Sequence, residues 1–156
     1  LRRGSFLFLH AGLDDDVAWL INDRGVRNLN REFHHQLHEG GFRFYYGSIA
    51  NAIRTKYRSV DRPLSARGAG LVHDCGIHAI VHGHRNLYSG QRITLRKGMP
   101  HFECDTTMDR HTRRKEGLKG IGAGVTVIHP DGFISGISTD YPRVKVLEPE
   151  NLGLPA

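Results

Sequence analysis

The chain has 156 residues, of which 38% are hydrophobic and 24% are charged. This length suits one domain with a real core rather than two, and apolar runs such as residues 6–9 are far too short to span a membrane. The formal net charge of +6 at pH 7 favours acidic partners, either phosphorylated molecules or nucleic acid. The two cysteines have no CxxC spacing, so we expect a reducing compartment, the cytoplasm, and no membrane partner.

The first half of the chain predicts one strand followed by helices. Residues 5–9 form an apolar run typical of a buried strand. The acidic residues 14–16 suit the positive end of a helix dipole and predict a helix start rather than metal ligands. Apolar residues at helical spacing, with glycine or proline at the breaks, predict four helices, at residues 17–25, 29–37, 49–57 and 65–75.

From residue 77 onward the pattern favours β-structure. Strands are predicted at residues 77–81, 91–95, 101–105, 125–129 and 133–138. Pro130-Asp131-Gly132 is a turn signal that predicts a hairpin of the last two strands. The basic, glycine-bearing stretch 108–124 is predicted to be a long loop. Because the chain starts at Leu1 without methionine and enters a strand at once, we expect it to be part of something longer.

Two of the predicted strands end in histidine, in Leu9-His10 and in Val81-His82-Gly83-His84. Loops at strand ends in α/β sheets aim side chains into a shared crevice, and imidazole is the commonest metal ligand. His10 and His84 are therefore candidate ligands. From the residues alone, hydrogen-bonded histidines at strand ends remain the alternative.

The order of these motifs resembles a known family. FLFLHAGL, IVHGHRN, FECDTT and IHPDGFISGIST are similar, over residues 5–140, to the second half of the calcineurin-like metallophosphoesterases. In that family one strand ends in His-Gly-Gly or His-Ala-Gly and a later one in Gly-His. The resemblance implies a mixed α/β fold in which residues 1–146 are the C-terminal half of a two-sheet β-sandwich flanked by helices. Residues 147–156 would be a tail, and the N-terminal half of the domain would be missing.

The same resemblance implies a metal-dependent phosphoester hydrolase with two divalent ions, Mn, Fe or Zn, in which His10 and His84 bind the second ion. The family's remaining ligands and its leaving-group histidine lie in the half that these residues lack, so no catalytic residue is assigned. Asn86 stands where many relatives have another histidine, which favours the protein serine/threonine phosphatase or dinucleoside tetraphosphatase branch. Arg24, in NDRGV, resembles a phosphate-binding arginine, and we expect Arg24, His82 and Asn86 to face a phosphorylated protein or nucleotide.

Two other functions remain open. The chain could be a basic nucleic-acid-binding module that uses Arg54, Lys56, Arg58 and residues 110–115 on phosphates, although it lacks a recognition-helix signature and interleaved aromatic residues. It could also be a noncatalytic scaffold that keeps the fold without the ions, because a fold does not fix a function. Residues 110–115 would be a solvated loop or a substrate-facing one.

Overall fold

A computed structural model describes residues 1–140 and 145–147 of the chain. One sheet contains β1 (Arg2–Arg3), β2 (Phe6–Phe8), β3 (Ala79–His82), β4 (Arg92–Arg96) and β5 (Met99–Glu103), and a second contains β6 (Gly124–Ile128), β7 (Ile134–Ser138) and β8 (Lys145–Leu147). The helices are α1 (Asp15–Glu39), α2 (Ala66–Asp74) and α3 (Arg110–Glu116), with 3-10 segments at Gly41–Tyr46 and Ser48–Ile53. The predicted mixed α/β class is confirmed.

The first sheet has the order β1-β2-β3-β5-β4 and mixes parallel and antiparallel pairs. Strands β2, β3 and β5 are parallel, with Phe8 opposite Val81 and His82 opposite Glu103. Because these strands run the same way, the turns that follow them meet at one edge of the sheet. Strands β1 and β4 pair antiparallel with the outer members of this parallel group.

Helix α1 begins and bends where the sequence provides for it. The carboxylate of Asp14 accepts a hydrogen bond of 2.9 Å from the backbone N–H of Val17, which caps the helix N-terminus. Gly25 has φ of 72° and ψ of 157°, a conformation open to glycine, and it kinks the helix where the sequence predicts one helix to end. The second part of α1 continues to Glu39, two residues beyond the predicted end at residue 37.

The core has a part on each face of the first sheet. On one face, Leu7 and Ile80 pack against helix residues such as Val17 and Val72, all nearly or fully buried. On the other face, Ala79 and Phe102 form a smaller cluster with Ile134 of β7. These inner strands are apolar on both sides because both faces are covered.

Two predictions in the connecting regions were wrong. The helix predicted at residues 49–57 is instead a 3-10 segment that ends at Ile53, and Tyr57 has a positive φ of 56°, which an α-helix does not accommodate. The loop predicted at 108–124 contains α3, because Asp109 caps its N-terminus and Gly117 ends it in the left-handed conformation.

Some expectations go beyond the described residues. The predicted tail, 147–156, lies outside them apart from Leu147, and the domain limit at 146 remains a prediction. None of the helices in the described part of the chain is both long and apolar enough to cross a membrane.

Candidate functional site

The turns after the three parallel strands are joined by backbone hydrogen bonds. The N–H of Gly83, after β3, donates to the carbonyl of His10, after β2, at 3.1 Å. The N–H of Cys104, after β5, donates to the carbonyl of His82 at 2.8 Å. Leu87 in turn donates to the carbonyl of Asp105 at 3.2 Å. The edge where the parallel strands end therefore brings His10, His84 and Asp105 into one region.

Gly83 lies close to the turns that follow β2 and β5. A Cβ atom at position 83 would lie 3.6 Å from the Cβ of Asp105 and 3.7 Å from the carbonyl oxygen of His10. These are ordinary van der Waals distances, which show how closely the three turns pack at this point. His84, the next residue, has a positive φ of 63°, which turns the chain sharply after the strand.

The imidazoles of His10 and His84 face each other. His10 Nε2 lies 3.1 Å from His84 Nδ1, and the ring centroids are 4.8 Å apart. This contact is a hydrogen bond when one of the two nitrogens carries the proton. The spacing also suits two ligands of one ion, because metal–nitrogen bonds of about 2.0–2.1 Å place such nitrogens about 2.9–3.4 Å apart.

The pair fits part of a metal site. Among residues 1–140 and 145–147, no group of three or more His, Cys, Asp or Glu side chains is arranged to hold an ion. A structural zinc site uses four protein ligands and a catalytic one uses three. The described residues thus provide two nitrogen donors, and a complete centre needs further ligands.

Positive charge surrounds His84. Burial lowers the pKa of His84, and the nearby charges of Lys56, His10 and Arg58 also lower it, while Asp105 opposes the shift. A lowered pKa keeps the imidazole neutral at physiological pH, which is the form that binds a metal. The same lysine and arginine provide a favourable field for an anion.

An open pocket of about 500 Å³ lies over the histidine pair, lined by His10, Tyr45, Ile53, Arg54 and His84. The Arg54 guanidinium donates to Asn51 Oδ1, and Asn51 Nδ2 donates to the buried carboxylate of Asp14 at 2.6 Å. Arg54 is thus held from the protein side by a side chain that is itself fixed. The pocket lining thus combines two imidazoles, one oriented arginine and the aromatic ring of Tyr45.

His82 lies behind the pocket rather than in it. It is 3% exposed, and its ring contacts the rings of Tyr57 and His101 at centroid distances of 5.5 and 5.6 Å. Burial lowers its pKa, and its Nε2 has no hydrogen-bond partner among the described residues. The structure therefore shows His82 as a neutral, buried neighbour of the site.

Asn86 and Arg24, the other predicted substrate residues, do not line the pocket over the histidine pair. Asn86 Nδ2 donates to Glu116 Oε2 at 2.8 Å, which ties the turn after β3 to α3. Arg24 is exposed on α1 and pairs with its neighbour Asp23 at 3.4 Å. Two residues before Arg24, the Asn22 amide contacts the sulfur of Cys75 at 3.5 Å, on the segment that leads into the amino end of β3. Arg24 thus lies toward the edge of the sheet opposite the site.

Sequence reasoning assigned Arg54 and Lys56 to phosphate contacts only in the nucleic-acid alternative, and it did not assign Asp105 or Tyr45 to a site. A signal was present for the basic residues, because RTKYR places cations at every second position, an alternation typical of extended chain rather than helix. Tyr45 gave no comparable signal, since its position depends on how the 3-10 segment folds onto α1.

A buried polar cluster around Tyr57 lies next to the site. The Tyr57 hydroxyl accepts a hydrogen bond of 2.6 Å from the Leu13 N–H and lies 3.1 Å from His101 Nδ1. The guanidinium of Arg96 lies 3.9 Å from the Tyr57 ring centre and also donates to Glu103 at 2.7 Å. Burial alone would raise the pKa of Glu103, but hydrogen bonds from its arginine partners outweigh burial and lower it. The cluster links strands β4 and β5 to the loop that carries Lys56.

Comparisons with known proteins do not place the chain in a family. No family model, no curated protein and no solved structure matches it.

Proposed function

We propose that this chain carries part of the active site of a metal-dependent phosphoester hydrolase. The observation that carries the proposal is the 3.1 Å separation of His10 Nε2 and His84 Nδ1, at the ends of two neighbouring parallel strands. Both nitrogens border a pocket that also contains Arg54. Two imidazoles and a guanidinium are the donors expected where a metal and a phosphate meet.

His10 and His84 would hold one divalent ion, Mn, Fe or Zn. A bound metal supplies a Lewis acid for a phosphoryl oxygen and lowers the pKa of a bound water. Arg54 is held by Asn51 so that its remaining N–H groups can bind the phosphate. Lys56 and Arg58, whose charges act on His84, attract the dianion toward the pocket.

Two functions that the reaction requires are not supplied by the described residues. A two-metal centre needs a bridging carboxylate and more ligands than two imidazoles, and cleavage needs an acid for the leaving group. In the proposal, both come from a further segment that completes a two-sheet sandwich of the metallophosphoesterase type. The engagement of Asn86 with Glu116 supports a branch of that family in which this position is not a ligand.

Metal binding by histidine variants tests the proposal. Equilibrium dialysis against Zn²⁺ or Mn²⁺, followed by mass spectrometry of the protein fraction, should show binding that His10→Ala and His84→Ala each abolish. His82→Ala should keep most of it, because its ring is buried behind the pocket. His38→Ala, an exposed histidine on α1, is the matched control. Full metal content in both His10→Ala and His84→Ala would refute the proposed ligand pair.

Turnover provides a second test. The chain of 156 residues alone should bind no more than one ion tightly and should not hydrolyse an aryl phosphate with added Mn²⁺, because the described residues offer two ligands at the site. Extending the chain before Leu1 by a segment with the missing ligands should restore hydrolysis. Robust turnover by the 156-residue chain would contradict the proposal that this chain carries only part of the active site. Absence of both metal binding and turnover in the extended chain would favour the noncatalytic scaffold.

A further inference from the structure

Large aromatic side chains are exposed in the 3-10 segment Gly41–Tyr46, next to the pocket. Phe42 and Tyr46 are each 75% exposed, and Tyr45 is 50% exposed. Single exposed apolar residues are common, but a cluster of exposed rings beside a pocket marks a binding surface more often than chance placement does. The segment therefore needs a functional explanation.

The Tyr45 side chain packs against a buried residue of the same segment. Its ring meets the ring of Phe44 at a centroid distance of 5.7 Å, and Phe44, which is 2% exposed, packs edge-on against Phe33 of α1 at 5.0 Å. Burial of Phe44 fixes the backbone of the segment from inside. The Tyr45 ring thus contacts a buried core residue and also borders the pocket.

The pocket beside Tyr45 is lined by two chemically different kinds of side chain. Its volume of about 500 Å³ lies in the range of organic ligand sites and exceeds what a phosphate group needs. His10, His84 and the oriented guanidinium of Arg54 provide polar groups, and Tyr45 and Ile53 provide apolar surface. A ligand that contacts both kinds of side chain has an anionic group and a flat apolar group.

We infer that the pocket binds a nucleoside phosphate, with the phosphate against Arg54 and the histidine pair and the base stacked on Tyr45. The phosphate contacts in this inference rest on the proposed function, whereas the base contacts depend on the exposed ring of Tyr45. Every base has a π-face that stacks on an aromatic side chain, and such stacking is tolerant of base identity. A phosphorylated serine or threonine carries an anion but no flat group, so it would leave Tyr45 and Ile53 uncovered.

The test compares ligands that differ in the base alone. Binding of adenosine monophosphate and of ribose phosphate is measured by isothermal titration calorimetry in EDTA, so that metal plays no part. We expect adenosine monophosphate to bind roughly 5- to 150-fold more tightly, the range that one stacked base supplies. Tyr45→Ala should remove this preference and Tyr45→Phe should keep it. Tyr46→Ala, in the same segment but outside the pocket lining, is the matched control and should also keep it.

Three results would overturn the inference. Equal binding of the two ligands by the unmodified chain would show that no base site exists. Retention of the preference in Tyr45→Ala would place the base elsewhere. A short oligothymidylate that binds far more tightly than any mononucleotide would assign the aromatic cluster to single-stranded nucleic acid instead.

The nucleotide inference and the hydrolase proposal can fail independently of each other. If His10→Ala and His84→Ala leave metal content unchanged but the adenosine preference depends on Tyr45, the hydrolase proposal fails and the nucleotide site stands. If metal binding follows the histidines but the two ligands bind equally, the nucleotide site fails and the hydrolase proposal stands.

Discussion

His101 should make the protein unstable in mild acid. This side chain is 0% exposed in β5, and its ring lies edge-on to Tyr57 at a centroid distance of 5.3 Å. Burial lowers its pKa to about 3, the charges of His82 and Arg96 contribute in the same direction, and Glu103 opposes them. Between pH 6.5 and about 3, His101 therefore stays neutral in the folded protein while a histidine in an unfolded chain is protonated.

The sign and size of the effect follow from the two pKa values. An unfolded histidine titrates near 6.5, so below that pH the unfolded chain binds a proton that folded His101 does not bind. The free energy of unfolding therefore falls as the pH drops through 6.5, and it continues to fall until the pH reaches about 3. One pKa unit corresponds to about 1.4 kcal/mol, so His101 should cost about 2 kcal/mol at a pH of about 5.

Urea unfolding followed by circular dichroism measures this cost. The free energy of unfolding is determined at pH about 7.5 and about 5 for the unmodified chain, for His101→Gln and for His38→Gln. Glutamine does not titrate, so the difference between the two pH values should shrink by about 2 kcal/mol in His101→Gln. His38 is exposed on α1, and its replacement should leave the difference unchanged. An equal pH dependence in His101→Gln and the unmodified chain would refute the reasoning, whatever the absolute stability of the variant.

Three substitutions test the supports around the site. Tyr57→Phe removes a hydroxyl bonded to buried backbone and to His101, and should lower the free energy of unfolding by about 1–3 kcal/mol in urea titrations. Gly12→Ala should cost at least as much in the same assay, because its Cβ would lie 2.5 Å from the Tyr57 ring. Arg113→Ala removes hydrogen bonds to three backbone carbonyls and should speed hydrogen exchange in residues 106–122, whereas the exposed Arg114→Ala should not. Unchanged stability or exchange would contradict each argument.

The sequence predicted elements where local pattern and capping agree. The strand at 5–9, the helix start after Asp14 and the hairpin around Pro130-Asp131-Gly132 all appear within one or two residues. The helix end predicted at Gly25 appears as a kink within α1. Each depends on neighbours along the chain: apolar runs, a side-chain cap, a glycine or a turn residue. Such features can be found without knowing the tertiary structure.

The parts that were missed depend on long-range contacts. Helix α3 has the sequence RHTRRKE, without an apolar stripe, and its fourth residue, Arg113, turns inward to bond the carbonyls of Thr106, Thr107 and Gly120. The pairing of Arg92 with Glu103 follows from the register of β4 against β5, which the sequence does not specify. For the site, the sequence nominated His10 and His84, which the structure brings together, but also Arg24, which the structure keeps apart from them.

The placement of the cations near His84 depends on an unusual backbone at Tyr57. A positive φ of 56° at a tyrosine costs of order 1–3 kcal/mol. That cost is offset by the hydrogen bond from the Leu13 N–H to the Tyr57 hydroxyl and by the Arg96 guanidinium over the ring. The turn at Tyr57 carries Lys56 and Arg58, whose charges act on His84. These charges disfavour a protonated imidazole and attract a phosphate. The strained backbone at Tyr57 therefore favours the neutral form of His84, which can bind a metal, and it also favours the anion that we propose binds there.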